Sequence, residues 1–125
     1  MVAALLCAAG PGCGEDCVEV DLTCTPLNTP TFDNVFDNTL SVSCGIVGPC
    51  HNATAARGGL VFEDIDESYE LLMENDRVIP FDPGCSLIVQ RIESKRSTFV
   101  MPPGGGLDER EKCMIELWIA NGALR

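Results

Sequence analysis

Eight cysteines in a chain of 125 residues set the first constraint on how this protein can fold. The chain also holds 12 glycines and 8 prolines, and aromatic residues make up only 6% of it. A small domain so rich in loop-forming residues usually needs disulfides, a metal or a large buried cofactor to hold it together. An even number of cysteines at this density is typical of an oxidising compartment. The sequence therefore predicts one small, cross-linked domain exported from the cytosol.

The net charge of −11 limits the classes of partner. Nothing in the sequence resembles the basic face that nucleic-acid binding requires. An acidic surface favours solubility, and any charged partner should be cationic. No run of residues reaches the ~18 apolar positions needed to span a membrane.

The first 30 residues divide into two segments. Residues 1–13, "MVAALLCAAGPGC", resemble the apolar and cleavage regions of a secretory signal, although they lack the positive start. Cys13 and Cys17 are candidates for the lipid-modified first residue of a lipoprotein, which would place the protein in the periplasm or at the cell surface. Residues 14–30 form an acidic, turn-rich arm. Within it, Cys17 and Cys24 bracket a strand-like alternation and are predicted to pair across a tight loop.

Four helices are predicted between residues 31 and 125. Thr31 is a suitable N-cap for the first, "TFDNVFDNTLSVSC", and Asp66 for the second, "DIDESYELLMEND". A third follows in "CSLIVQRIES". The last, "LDEREKCMIELWIANGAL", carries an Asp108–Glu111 cap. The fold class is therefore all-α with long loops.

Two breaks bound the last predicted helix. Pro102 and Pro103 exclude a helix just before it, because they push Met101 and its neighbours into extended conformation. Gly122 is predicted to end it.

The stretch "CGIVGPCH", from Cys44 to His51, carries the main chemical signal. It ends with Cys next to His, as a covalent haem-attachment motif does, but its first cysteine is three residues earlier than in C-x-x-C-H. The alternative is a disulfide between Cys44 and Cys50, with His51 exposed beside it. His51 is the one histidine of the chain, so a bis-His site within a monomer is excluded. The paired C-x-x-C spacing of zinc sites is also absent from the sequence.

The order of these parts resembles a monohaem bacterial cytochrome c domain of the class I type, over roughly residues 31–125. The ending "MPPGGGLDEREKCMIELWIANGA" is the most specific similarity, because the family ends on Met-Pro-Pro, a capped helix and a Trp-Ile pair. The segments "TFDNVFDNTLSVSC", "GGLVFEDIDESYELLM" and "VIPFDPGCSLIVQRI" are similar to the family's first helix and its two central segments.

The resemblance implies one covalent haem c and an electron-transfer function. Cys44 and Cys50 would form the thioethers, His51 would be the proximal iron ligand and Met101 the distal one. His with Met raises a haem potential and leaves no open coordination position, so the protein would pass electrons between redox partner proteins and would not be an enzyme. The inserted residues 45–49 would bulge outward between the two sulfurs.

Residues outside the ligand set are also expected to have roles. Leu117 and Trp118 would pack near the haem or against the opposite helix. Cys85 and Cys113 fall where the family usually has no cysteine, on helices that should pack together. They are therefore expected to form a second disulfide.

Two alternatives to a six-coordinate haem stay open at this point. One is a haemless structural or cell-surface module held by Cys44–Cys50, Cys85–Cys113 and Cys17–Cys24. The other is a five-coordinate haem, with Met101 swung away from the iron.

The leading hypothesis and the haemless one predict different interiors. A haem domain needs a hollow apolar pocket flanked by His51 and Met101. The haemless module would bring the two sulfurs into bonding distance and fill that space with the large side chains Phe32, Phe36, Leu60, Phe62 and Trp118.

Overall fold

The computed structural model describes residues 17–45 and 50–125. The signal-like segment 1–13 and the lipid-anchor candidate Cys13 lie outside these residues. Within them the protein has four α-helices and no strand, which confirms the all-α prediction. The helices are α1 (Phe32–Val35), α2 (Ile65–Leu72), α3 (Leu87–Glu93) and α4 (Glu109–Ala120).

The first helix changes its winding before it reaches Cys44, where the stretch that resembles a haem-attachment motif begins. Thr31 caps α1 as predicted, because its hydroxyl accepts the N–H of Asn34 at 3.3 Å. From Phe36 to Cys44 the chain continues as a π-helical segment. It ends where the Gly45 N–H donates to the Leu40 carbonyl, five residues back, at 2.8 Å. The predicted helix is therefore continuous to Cys44, but with a wider turn.

The cap predicted for the second helix is wrong by two residues. The side chain of Asp64, not Asp66, accepts the N–H groups of Asp66 and Glu67, at 3.0 and 2.9 Å. The helix begins at Ile65, so Asp66 lies in its first turn. A carboxylate there still favours the helix, because it faces the positive end of the macrodipole.

The boundaries of α4 are close to those predicted. Asp108 accepts the N–H groups of Arg110 and Glu111, both at 2.9 Å, and the Glu111 carboxylate accepts the Asp108 N–H at 3.1 Å. At the other end, Gly122 takes a φ of 109°, which a residue with a Cβ rarely adopts. This double cap explains why α4 is the longest of the four α-helices.

The core forms where α1 packs on α4. The Phe32 ring lies 5.0 Å from Trp118 and 5.2 Å from Tyr69, between ring centroids. Of the two positions expected for Trp118, the structure shows the one against the opposite helix, where it is buried. The other large side chains of this core that are almost fully buried are Val35, Leu40, Leu72, Val89, Met114, Ile115 and Ile119.

The N-terminal arm is fixed to the helical domain, but through disulfides other than those predicted. Cys17 is bonded to Cys85 and Cys24 to Cys113, so all four predicted cysteines are bonded but both pairings are wrong. The disulfide also leaves Cys17 no thiol for a lipid. The short Cys17–Cys24 spacing suggested a local bridge, whereas the arm runs extended over the domain from the start of α3 to α4.

Backbone contacts hold the same path. The Val18 N–H donates to the Gly84 carbonyl at 2.9 Å, and the Leu27 N–H donates to the Arg110 carbonyl at 3.0 Å. A Cβ on Gly84 would clash with the Val18 carbonyl oxygen, so only glycine fits beneath the arm.

Disulfide mapping tests the arm's path. The first Lys or Arg of the sequence is Arg57, so trypsin leaves both arm cysteines in one peptide. We expect this peptide to be linked to the peptides that contain Cys85 and Cys113. Those two peptides linked to each other instead would contradict the path.

Replacing Cys24 and Cys113 with serine should lower the free energy of unfolding by about 2–5 kcal/mol in urea titrations, because the bridge closes a long loop.

Glu116 is a buried carboxyl group on α4, with 4% of its surface exposed. One of its oxygens, Oε1, has no hydrogen-bond partner among the described residues. Burial, the adjacent Glu93 of α3 and Glu109 together raise the pKa of Glu116 to about 8, with burial the largest cause, whereas Lys112 opposes the shift. Glu116 is thus protonated in the folded protein at neutral pH.

This raised pKa predicts that stability decreases with pH. The contribution of Glu116 is complete below its ordinary value of 4.5 and is lost as the pH rises through about 8. As the pH rises between those limits, the parent protein loses stability and Glu116→Gln does not. The difference between their unfolding free energies should therefore change by on the order of 3 kcal/mol in favour of the variant. Urea titrations at several pH values measure this, with the exposed Glu70→Gln as control. Parallel pH profiles for Glu116→Gln and the parent protein would contradict it.

Candidate functional site

A cavity of about 450 Å³ lies beside the core, bounded by the π-helical segment, the loop between it and α2, the loops on either side of α3, and the helices α3 and α4. Cys44, Cys50, His51 and Met101, the four residues expected from the sequence to hold a cofactor, all line it. Most of the remaining wall is apolar, formed by Leu40, Leu60, Phe62, Leu87, Ile88, Ile92, Pro102, Pro103, Leu107 and Ile115. Residues as distant in the sequence as Leu40 and Ile115 thus surround this space and do not fill it.

The backbone of His51 is fixed on both sides. Its N–H donates to the Cys44 carbonyl at 3.0 Å, and its carbonyl accepts the N–H of Phe62 at 2.8 Å. The Phe62 ring packs edge-on against the imidazole, with centroids 5.4 Å apart and planes at 63°. These contacts set the position of the imidazole at the cavity wall.

The loop after His51 is closed by a turn around Asn52. The side-chain oxygen of Asn52 accepts the N–H groups of Thr54 and Ala55, at 3.1 and 2.9 Å. The backbone carbonyl of Asn52 accepts the N–H of Ala56 at 2.7 Å. Such side-chain-to-backbone bonds replace the helical bonds that this Gly-rich segment cannot make. The chain therefore turns back toward the cavity at Leu60.

The imidazole of His51 is suited to bind a metal. Its Nδ1 atom is buried and has no hydrogen-bond partner among the described residues. Burial lowers the pKa of His51. Polar backbone groups of Arg57 and Leu60 raise this pKa, but by less than burial lowers it. The ring is therefore neutral near pH 7, which is the form that coordinates metals.

Cys44 and Cys50 are both free thiols in the structure. Burial raises the pKa of Cys44 to about 12, with further contributions from Glu111 and Cys50. Cys44 is thus a protonated thiol with little nucleophilic character at neutral pH. Of the inserted residues 45–49, the structure describes only Gly45, so the predicted outward bulge lies outside the described residues.

Gly45 is tightly enclosed beneath this site. A Cβ at this position would lie 2.7 Å from the carbonyl oxygen of Phe62, the residue whose N–H bonds to His51. A backbone oxygen cannot move aside as the end of a side chain can. Glycine at position 45 therefore allows the end of the π-helical segment to approach the Phe62 backbone.

Gly45→Ala should destabilise the protein by about 1–3 kcal/mol, because the methyl group forces the two backbone segments apart. Thermal and urea unfolding measure this effect. Gly105→Ala is a matched control, since a Cβ there meets no atom within 4 Å. Equal unfolding midpoints for the two variants would show that the close approach is absent.

Met101 lines the cavity from the segment between α3 and α4. No α-helix lies between Glu93 and Glu109, as Pro102 and Pro103 predicted. The Met101 N–H donates to the carbonyl of Arg91 at 3.1 Å, and its side chain is half-buried. The following peptide bond, to Pro102, is cis.

Three arginines at the cavity were not identified from the sequence. Arg57, Arg77 and Arg91 line it, which is three of the eight basic residues of the chain. None of the 19 acidic residues is among the described lining residues. The cavity is therefore basic in a protein of net charge −11. The three arginines are far apart in the sequence and follow no spacing pattern, so no motif marks them as neighbours. The one hint in the sequence is that basic residues are few.

A family model described as Planctomycete cytochrome C matches residues 49–105. The matched stretch includes Cys50, His51 and Met101 and begins after Cys44. The match supports a cytochrome c-like domain, and it does not cover the first cysteine of the long C-x5-C-H spacing. No curated protein and no solved structure matches the chain.

Proposed function

We propose that the protein is an electron carrier with one covalently bound haem c. Cys44 and Cys50 would hold the haem as thioethers, and His51 and Met101 would be its axial ligands. The observation that carries the proposal is the hollow, mainly apolar cavity whose wall includes all four residues. A family match to a cytochrome c over part of the chain supports the same function.

The described residues fit this cofactor in three respects. The cavity volume of about 450 Å³ is within the ~300–1,000 Å³ typical of ligand and cofactor sites. The buried Nδ1 of His51 lacks a partner, and the ring is in its neutral form. The arginines match the two carboxylates that a haem carries.

A bound haem would supply a one-electron couple, and the protein would set its potential and its access. His51 and Met101 would both hold the iron, so no coordination position would remain for a substrate. The apolar wall would exclude water from the ring. These roles suit an electron carrier and not an enzyme, as is general for cytochrome c domains.

The surface and the disulfides indicate where such a carrier would work. Two disulfides among the described residues favour an oxidising location, such as the periplasm or the cell surface. No described helix has the length and apolar character needed to cross a membrane. With Cys17 in a disulfide, Cys13 is the remaining candidate for a lipid anchor. The charge of −11 favours basic redox partners.

The haemless alternative predicts a different interior. It requires a Cys44–Cys50 bond and a cavity filled by large side chains. Both thiols are free. Phe32, Phe36 and Trp118 pack in the core, and Leu60 and Phe62 line the cavity without filling it. These observations favour the haem-binding function over the haemless module.

Replacing Met101 with histidine tests the axial ligand. The Met–iron charge-transfer band should disappear and the reduction potential should fall by on the order of 0.1 V or more, because imidazole stabilises ferric iron better than a thioether does. Visible spectroscopy and redox titration measure both. The control is Met73→Leu, at a half-buried methionine that packs on the core and does not line the cavity. An unchanged band and potential in Met101→His would exclude Met101 as a ligand.

A further inference from the structure

We propose that Arg91 is a positioning residue that holds Met101 at the cavity wall for axial ligation. This inference rests on the proposed function and assigns a role to one of the three arginines. It concerns the segment between α3 and α4, where the distal ligand lies.

Arg91 makes three contacts with this segment. Its Nη1 donates to the carbonyl of Phe99 at 3.2 Å. Its guanidinium lies over the Phe99 ring, 3.9 Å from the centroid. Its backbone carbonyl accepts the N–H of Met101 at 3.1 Å. One residue of α3 thus fixes the chain two residues before the methionine and at the methionine itself.

The position of α3 is itself well determined. Val89 and Ile92, on either side of Arg91, are buried in the core. By contrast, the other backbone bonds near Met101 stay within the segment, since Phe99 and Val100 both donate to the carbonyl of Arg96, at 3.0 and 2.9 Å. Local bonds shape the turn, whereas those of Arg91 place it relative to the core.

The chemistry of these contacts suits a clamp. A hydrogen bond from a charged donor is stronger than a neutral one, and a guanidinium over an aromatic ring adds a cation–π interaction. Met101 lies in a segment without helical bonds, so few other constraints limit its movement. Loss of the clamp should let the thioether leave the iron while the helical core stays folded.

Arg77, which also lines the cavity, makes comparable contacts with another part of the chain. Its guanidinium donates to the carbonyls of Leu71 and Gly58, at 2.7 and 2.8 Å, and so links the end of α2 to the loop after His51. The two arginines therefore act on different loops. A change in Arg91 should therefore act on the Met101 segment and not on the loop after His51.

The test compares Arg91→Gln with Arg96→Gln in the full haem-loaded chain. Arg96 is the matched control, because its guanidinium also faces the Phe99 ring, at 4.8 Å. The contact that distinguishes Arg91 is the hydrogen bond from its Nη1 to the Phe99 carbonyl. Added imidazole displaces a methionine ligand, and loss of the Met–iron charge-transfer band reports the displacement. We expect Arg91→Gln to need roughly tenfold less imidazole than the parent protein, and Arg96→Gln to stay within about twofold of it.

Two further measurements separate positioning from general stability. Arg91→Lys, which keeps a charged donor, should restore part of the resistance to imidazole. Far-UV circular dichroism should show the helical core of Arg91→Gln intact under the conditions of the titration. A parent-like band and imidazole midpoint in Arg91→Gln would overturn the proposal, even if its overall stability were lower.

Hydrogen exchange keeps the proposal independent of the haem. The amide of Met101 should exchange roughly tenfold faster in Arg91→Gln than in Arg96→Gln, because the segment loses its side-chain contacts with α3 and the remaining backbone bond to residue 91 opens more often. A parent protein without haem, or without the Met–iron band, would contradict the proposed function or ligand. Equal exchange at Met101 in the two variants would contradict the role of Arg91.

Discussion

The two backbone hydrogen bonds of His51 are the constraint on which the cavity depends. They join the end of the first helix at Cys44 to the chain at Phe62, with His51 between them. Glycine at position 45 is required for this approach, because any side chain would meet the Phe62 carbonyl. The long spacing between the two cysteines therefore does not keep Cys44 away from the cavity. Although Cys44 precedes His51 by seven positions, the backbone brings both to one wall.

A hollow of about 450 Å³ in so small a domain needs support from elsewhere. One source is the packing of α1 on α4 through Phe32 and Trp118. Another is the arm, which is bonded by disulfides to the start of α3 and to α4. The cross-links therefore lie away from the cavity. This arrangement leaves Cys44 and Cys50 free for a different chemistry.

The sequence predicted what depends on local patterns. Helical periodicity and capping residues gave the helices and the all-α class, and the D-x-x-E cap at Asp108 was correct in detail. The candidate cofactor residues come from a family resemblance that combines a Cys-His pair with a Met-Pro-Pro segment. The disulfide pairing was wrong, because it depends on the path of the arm across the domain. The roles of Arg77 and Arg91 were missed for a similar reason, since they depend on which distant carbonyls each guanidinium reaches.

The most direct test of the central claim is the intact mass and visible spectrum of the protein matured in an exporting, haem-attaching host. The account predicts a mass increase of one haem that survives denaturation, together with a Soret band. A colourless protein, lighter than the reduced chain by the hydrogens of an added Cys44–Cys50 disulfide, would contradict it. In that case the cytochrome-like fold would serve a haemless function.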